Sequence, residues 1–140
     1  MTFGMEFHDS VLLDVRREDD GNGFVLFHGY VYRSEGQVFQ EAQESGWQNV
    51  RFHLQGMHIE GVLAEFGEYA SDGDLWVNGN SEKGVTSLPA NHVGDICMEL
   101  CLSPAFDTVK IYASHISSTF EGEFELETTW DSDGKCSQVR

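Results

Sequence analysis

The chain has 140 residues, the size of one domain, and a formal net charge of -16 from 24 acidic and eight basic residues. That charge repels phosphate backbones and anionic headgroups, which argues against nucleic-acid and membrane binding. A hydrophobic content of 40%, with ten Phe, argues against intrinsic disorder and is enough to build one core.

Three readings of the acidity remain: a solubility surface, adaptation to high salt, or a surface shaped for a cationic partner such as a basic protein, a metal or a polyamine. Met1 to Asp9 carries no basic residue and no continuous apolar run, so a secretory signal is not expected. No stretch approaches the roughly 18 consecutive apolar residues of a membrane span. The expected location is the cytoplasm.

The period of the apolar residues is two through most of the chain, with turn clusters between the runs, which predicts antiparallel sheet and little helix. The first hairpin joins Val11–Arg17 to Phe24–Arg33 across Glu18-Asp19-Asp20-Gly21-Asn22-Gly23, where both Asp-Gly and Asn-Gly favour a tight turn. In its second strand Phe24, Leu26, Tyr30 and Tyr32 share one face and Val25, Phe27 and Val31 the other. Apolar residues on both faces predict a strand covered on both sides. Gln37 to Ser45 is expected to be a long loop. Gly46 to Gln55 alternates, with Val50, Phe52 and Leu54 inward and Trp47, Asn49, Arg51 and His53 opposite, before a turn or bulge at Gly56.

Met57–Phe66 is the next expected strand, followed by Leu75–Val77 before an Asn78-Gly79 turn, a loop from Asn80 to Asn91, and a strand at Gly94–Leu102. Phe106–His115 and Thr119–Trp130 are expected to form a terminal hairpin across Ile116–Ser118. Cys97 and Cys101 then lie roughly 13 Å apart along one strand, beyond the reach of about 7 Å that a disulfide allows. Cys136, in a polar tail, reads as a free surface thiol. Three cysteines without an export signal fit a reducing compartment.

Enzyme signatures are absent: there is no Gly-x-Ser-x-Gly, Walker-type loop, Gly-x-Gly-x-x-Gly, His-Glu-x-x-His or Cys-x-x-Cys. The expectation is therefore a protein that is not an enzyme and carries no cofactor. Six histidines and the adjacent pair His8 and Asp9 keep a metal-dependent hydrolase among the alternatives, although their spacing carries no ligand pattern. The aromatic set Trp47, Trp76, Trp130, Tyr30, Tyr32, Tyr69 and Tyr112 supports a second alternative, a small-molecule-binding barrel with an aromatic-lined cavity. Asp131-Ser132-Asp133-Gly134 begins like a calcium loop but lacks the remaining ligands; it and Asp72-Gly73-Asp74 read as polar turns.

The strand Thr119–Thr128 places Glu121, Glu123, Glu125 and Glu127 on one face and Phe120, Phe124 and Leu126 on the other. Neighbouring carboxylates along such a stripe lie roughly 7 Å apart and repel by about 0.6 kcal/mol per pair in water and about 2.4 at an effective dielectric of 20. Eight basic residues cannot pair 24 acidic ones, so water or a cationic partner must cover this face.

The opening Glu6-Phe7-His8-Asp9-Ser10 and the closing Gly122-Glu123 strand resemble small bacterial all-β domains of unknown function, some of which look like immunity proteins of polymorphic toxin systems. The resemblance implies a binding role, and for His8 and Asp9 a feature at the start of a strand, where an Asp or Ser side chain caps backbone donors. The combined expectation is a single domain over residues 1–140, an antiparallel β-sandwich or partly open barrel of about eight or nine strands. The expected function is non-catalytic binding of a basic protein partner through Glu121, Glu123, Glu125 and Glu127, in the manner of an inhibitor or immunity protein; a homodimer is a further alternative.

Overall fold

The computed structural model describes residues 2–34, 44–61, 68–103, 107–130 and 136–138, the stretches 68–71, 130 and 136–138 as backbone. Within them the chain is all strand: β1 (Thr2–Arg17), β2 (Gly23–Ser34), β3 (Glu44–Gln55), β4 (His58–Glu60), β5 (Glu68–Val77), β6 (Asn80–Ser81), β7 (Val85–Leu88), β8 (Asn91–Ser103), β9 (Asp107–Trp130) and β10 (Cys136–Gln138). All pairings are antiparallel, in one sheet of order β6-β5-β8-β9-β3-β2-β1-β7. Two residue pairs, Val11 with Tyr69 and Leu12 with Glu68, bring β5 back onto β1, so the sheet curls into a partly open barrel.

The first hairpin forms where expected, with Arg17 opposite Gly23. Its turn is tied down by Met57, whose N–H donates to Gly21 O at 2.7 Å and whose carbonyl accepts from Arg17 Nε at 2.8 Å. Asn78 and Gly79, both at positive φ (50° and 83°), make the tight turn between β5 and β6.

The core fills the inside of the curl. Val25, Phe27 and Val31 of β2 and Val50, Phe52 and Leu54 of β3 point inward and are buried, as their alternation predicts. Phe7, Phe27 and Phe52 meet edge to face, with centroids 5.8 and 6.0 Å apart. The other face of β2 is half-buried, covered by its neighbours' side chains: the Arg51 guanidinium lies 4.0 Å from the Phe24 ring centroid, and Trp47 packs on His28 and Tyr30.

Four expectations are corrected. Asp72-Gly73-Asp74 is no turn; the three residues lie within β5 and pair with Cys101, Leu100 and Glu99 of β8. Ile116–Ser118 is no turn; β9 runs 24 residues straight through it, because Ile116 and Ser117 pair with β8 on one side while Ile116, Ser117 and Ser118 pair with β3 on the other. Asn80–Asn91 is not one loop, since Val85–Leu88 pairs with Phe3–Glu6 of β1. Finally, His8, Asp9 and Ser10 stand in the middle of β1, at a bulge between Glu6 and Val11, where Asp9 takes φ +66°. The fully buried Ser10 hydroxyl donates to Glu6 O and accepts from Tyr30 N, serving backbone groups that the bulge takes out of the ladder. Of the expected strand Met57–Phe66, His58–Glu60 is strand and residues 62–67 lie outside the described residues, as do residues 37–43 of the expected loop Gln37–Ser45, whose Glu44 and Ser45 begin β3.

Candidate functional site

The outer face of β2, β3 and β9 gathers the groups that the sequence marks for binding. Glu6, Tyr30, Trp47 and Glu125 are successive partners across β1, β2, β3 and β9, a row of two aromatics with a carboxylate at each end. His28 lies parallel to Trp47, with centroids 4.9 Å apart and planes 7° apart, and its Nδ1 is 2.8 Å from Asn49 Oδ1. Tyr30 meets Trp47 edge-on at 5.1 Å, and its hydroxyl bonds that of Ser45 at 2.8 Å. Tyr32 O–H donates to Glu6 Oε2 at 2.6 Å, and burial, then the Glu6 carboxylate, pushes its ionisation well above the ordinary tyrosine range.

The expected stripe on β9 is interrupted. Trp47 stands opposite Glu125 and Asn49 opposite Glu121, so three residues of β9, Glu123 at their centre, face Gln48 alone. Gly122 makes this bulge at φ +71°. The buried Gln48 side chain closes it from inside, donating Nε2 to Glu121 O at 2.9 Å and Gly122 O at 2.8 Å. A recess of about 260 Å³ results, lined by His28, Trp47, Asn49, Glu121, Glu123 and Glu125 among others.

The four carboxylates therefore differ in kind. Glu121 pairs with Arg51, Nη2 to Oε2 at 3.3 Å with Nε closer still, and that hydrogen bonding lowers its pKa below the ordinary glutamate value. Glu127 Oε2 accepts the Trp47 indole N–H at 2.6 Å. Glu123 and Glu125 are exposed and meet no cation among the described residues. On the opposite side of β9, Phe124 and Leu126 are half-buried as expected, whereas Phe120 is 40% exposed and rests edge-on against Phe3 at 5.2 Å. Sequence reading missed His28, Gln48 and Asn49 as members of this site; the glycine in the middle of the β9 run was the available signal for a bulge.

His8 and Asp9 are both exposed, with Nε2 3.4 Å from Oδ2. Among the described residues no group of three or more His, Cys, Asp or Glu side chains is placed to hold a metal ion. Of the other histidines, His53 bonds Thr119 at 3.0 Å and His115 bonds Asn91 at 2.9 Å. Cys97 and Cys101, both on β8, form no disulfide with each other, as their spacing predicts, and burial followed by the Glu99 carboxylate raises the Cys97 pKa. The side chains of Cys136, Trp130 and Tyr69 lie outside the described residues, as does 131–135.

Among the described residues, the members of the aromatic set do not line an interior cavity. Tyr30, Tyr32, Trp47 and Tyr112 stand on outer faces where their polar tips reach Ser45, Glu6, Glu127 and Glu60, and Trp76 is 38% exposed. Among the described residues no helix is long and apolar enough to cross a membrane. Comparison with protein-family models, with curated proteins and with solved structures finds no match for this chain.

Proposed function

We propose that this chain is a non-catalytic, cytoplasmic binding protein that engages a basic protein partner through the outer face of β3 and β9, in the manner of a small inhibitor or immunity protein. The supporting observation is the recess beside Trp47, where Glu123 and Glu125 are exposed without a cation while Glu121 and Glu127 are engaged within the chain. A lysine or arginine side chain arriving there gains two carboxylates for its charge and aromatic surface for its stem. The net charge of -16 adds long-range attraction for a basic surface, which raises the association rate more than the affinity.

Native mass spectrometry of the protein isolated from its own cells identifies a basic partner, if one is bound. Charge reversal then assigns the face: Glu123→Lys with Glu125→Lys slows association and flattens its salt dependence, and reversal at Glu121 and Glu127 as well abolishes binding. Partner binding unchanged in the fourfold variant overturns the proposal.

A further inference from the structure

A second recess, of about 180 Å³, lies beside the β5–β6 hairpin and shares no residue with the one beside Trp47. Leu75 and Val77 of β5 and Thr86 of β7 form its buried side; Asn80, Ser81, Glu82 and His92 complete the lining. Its volume is close to that of the engineered apolar cavity of about 150 Å³ that takes up benzene. The space suits a single ring.

The polar groups around it divide into two kinds. Asn80 Nδ2 donates to Asn78 O at 3.4 Å, Ser81 Oγ accepts from Lys83 N at 3.3 Å, and the Glu82 oxygens accept from Ser87 N at 3.0 Å and Ser87 Oγ at 2.6 Å. Thr86 is 1% exposed, and its Oγ1 is the one buried side-chain polar atom among the described residues without a hydrogen-bond partner. A buried hydroxyl left unpaired destabilises the fold, and valine has the same shape without that cost. His92, half-buried, also has no hydrogen-bond partner among the described residues.

We propose that this recess binds a small neutral monocyclic ligand carrying one hydroxyl, of the phenol class, with its ring against Leu75 and Val77 and its hydroxyl paired to Thr86. An anionic ligand is disfavoured by Glu82 and by the charge of the whole chain. A neutral ligand leaves the Glu82 carboxylate in its hydrogen bonds with Ser87. One staggered step of Thr86 χ1 carries its oxygen into the position the methyl held, while the methyl moves on to the site of the Cβ hydrogen, which lets the hydroxyl follow the ligand.

The test uses the full chain, with 4-methylphenol and toluene as probes, titrated by calorimetry and by amide chemical shifts. The expected result is that 4-methylphenol binds about tenfold or more tightly than toluene and shifts the amides of Leu75, Val77 and Thr86. Thr86→Val removes that preference while melting at or above the wild-type temperature, and Thr86→Ser, which keeps the hydroxyl, retains the preference. The proposal is overturned if 4-methylphenol does not bind up to its solubility limit, if toluene binds equally well, if the valine variant keeps the preference, or if the serine variant loses it.

Discussion

Trp47 donates its indole N–H to the carboxylate of Glu127, 80 residues further along the chain, at 2.6 Å. The bond fixes the indole from the β9 side while His28 lies parallel to its ring, so the wall of the recess is held from two strands. Replacing Trp47 with Phe keeps a ring against His28 and removes the donor. A charge-assisted hydrogen bond at a half-buried site is worth about 1–2 kcal/mol, and that loss is expected in denaturant unfolding. Glu127→Gln, which keeps an acceptor, should lose less.

The Arg51–Glu121 pair makes stability depend on acid. Glu121 has a folded pKa below its ordinary value of 4.5, so its contribution is present above that value and is lost as pH falls through the lower folded one. Thermal melts between pH 7 and pH 3 should show Glu121→Gln losing less stability on acidification than the wild type. Equal losses would mean the pair is not coupled to folding.

Tyr32 titrates at the other extreme. Its raised folded pKa means that the stability linked to it is intact below the ordinary tyrosine value of 10.0 and declines as pH rises above it. Alkaline difference absorbance should show Tyr32 ionising late, as the protein unfolds, and Tyr32→Phe should reduce that late step by one tyrosine.

Gly46 lies opposite β9 at the second irregularity of the pairing, between Ser45 and Gly46. A Cβ added there would sit 2.0 Å from the carbonyl oxygen of Glu125, a backbone atom with nowhere to move. Gly46→Ala should therefore destabilise by at least about 2 kcal/mol and distort the recess together with the fold. Equilibrium unfolding checks the first part, and Trp47 fluorescence the second.

Phe27 is fully buried between Phe7 and Phe52. Phe27→Ala should lose about 3–5 kcal/mol, the usual cost of removing a buried aromatic ring, measured by the denaturation midpoint at unchanged slope.

The parts of this fold that were legible in sequence are those where local chemistry and long-range pairing agree. Asp20-Gly21 and Asn78-Gly79 announce their turns, and the alternation of Val50, Phe52 and Leu54 states which way β3 faces. Val85–Leu88 was not legible as a strand, because four residues carry too little periodicity and its partner Phe3–Glu6 is remote in sequence. Ser117 and Ser118 looked like a turn between two apolar runs, yet they are ladder residues, since a polar residue in a strand meets no obstacle when both edges are paired. At the site, the glutamates were legible as a group. Their division into engaged and exposed pairs was not, because it depends on the bulge at Gly122 and on Arg51 and Trp47 of another strand.

The length of β9 also governs the order in which the molecule can assemble. β1, β2 and β3 are joined in sequence and can pair as they emerge during synthesis, but the free edge of β3 from Glu44 to Gln55 waits for a strand made much later. Until then a nascent chain presents Trp47 and an unpaired backbone edge to its surroundings, a template for aggregation that chaperones must shield. Folding dominated by such remote pairings belongs to the slow, millisecond-to-second class.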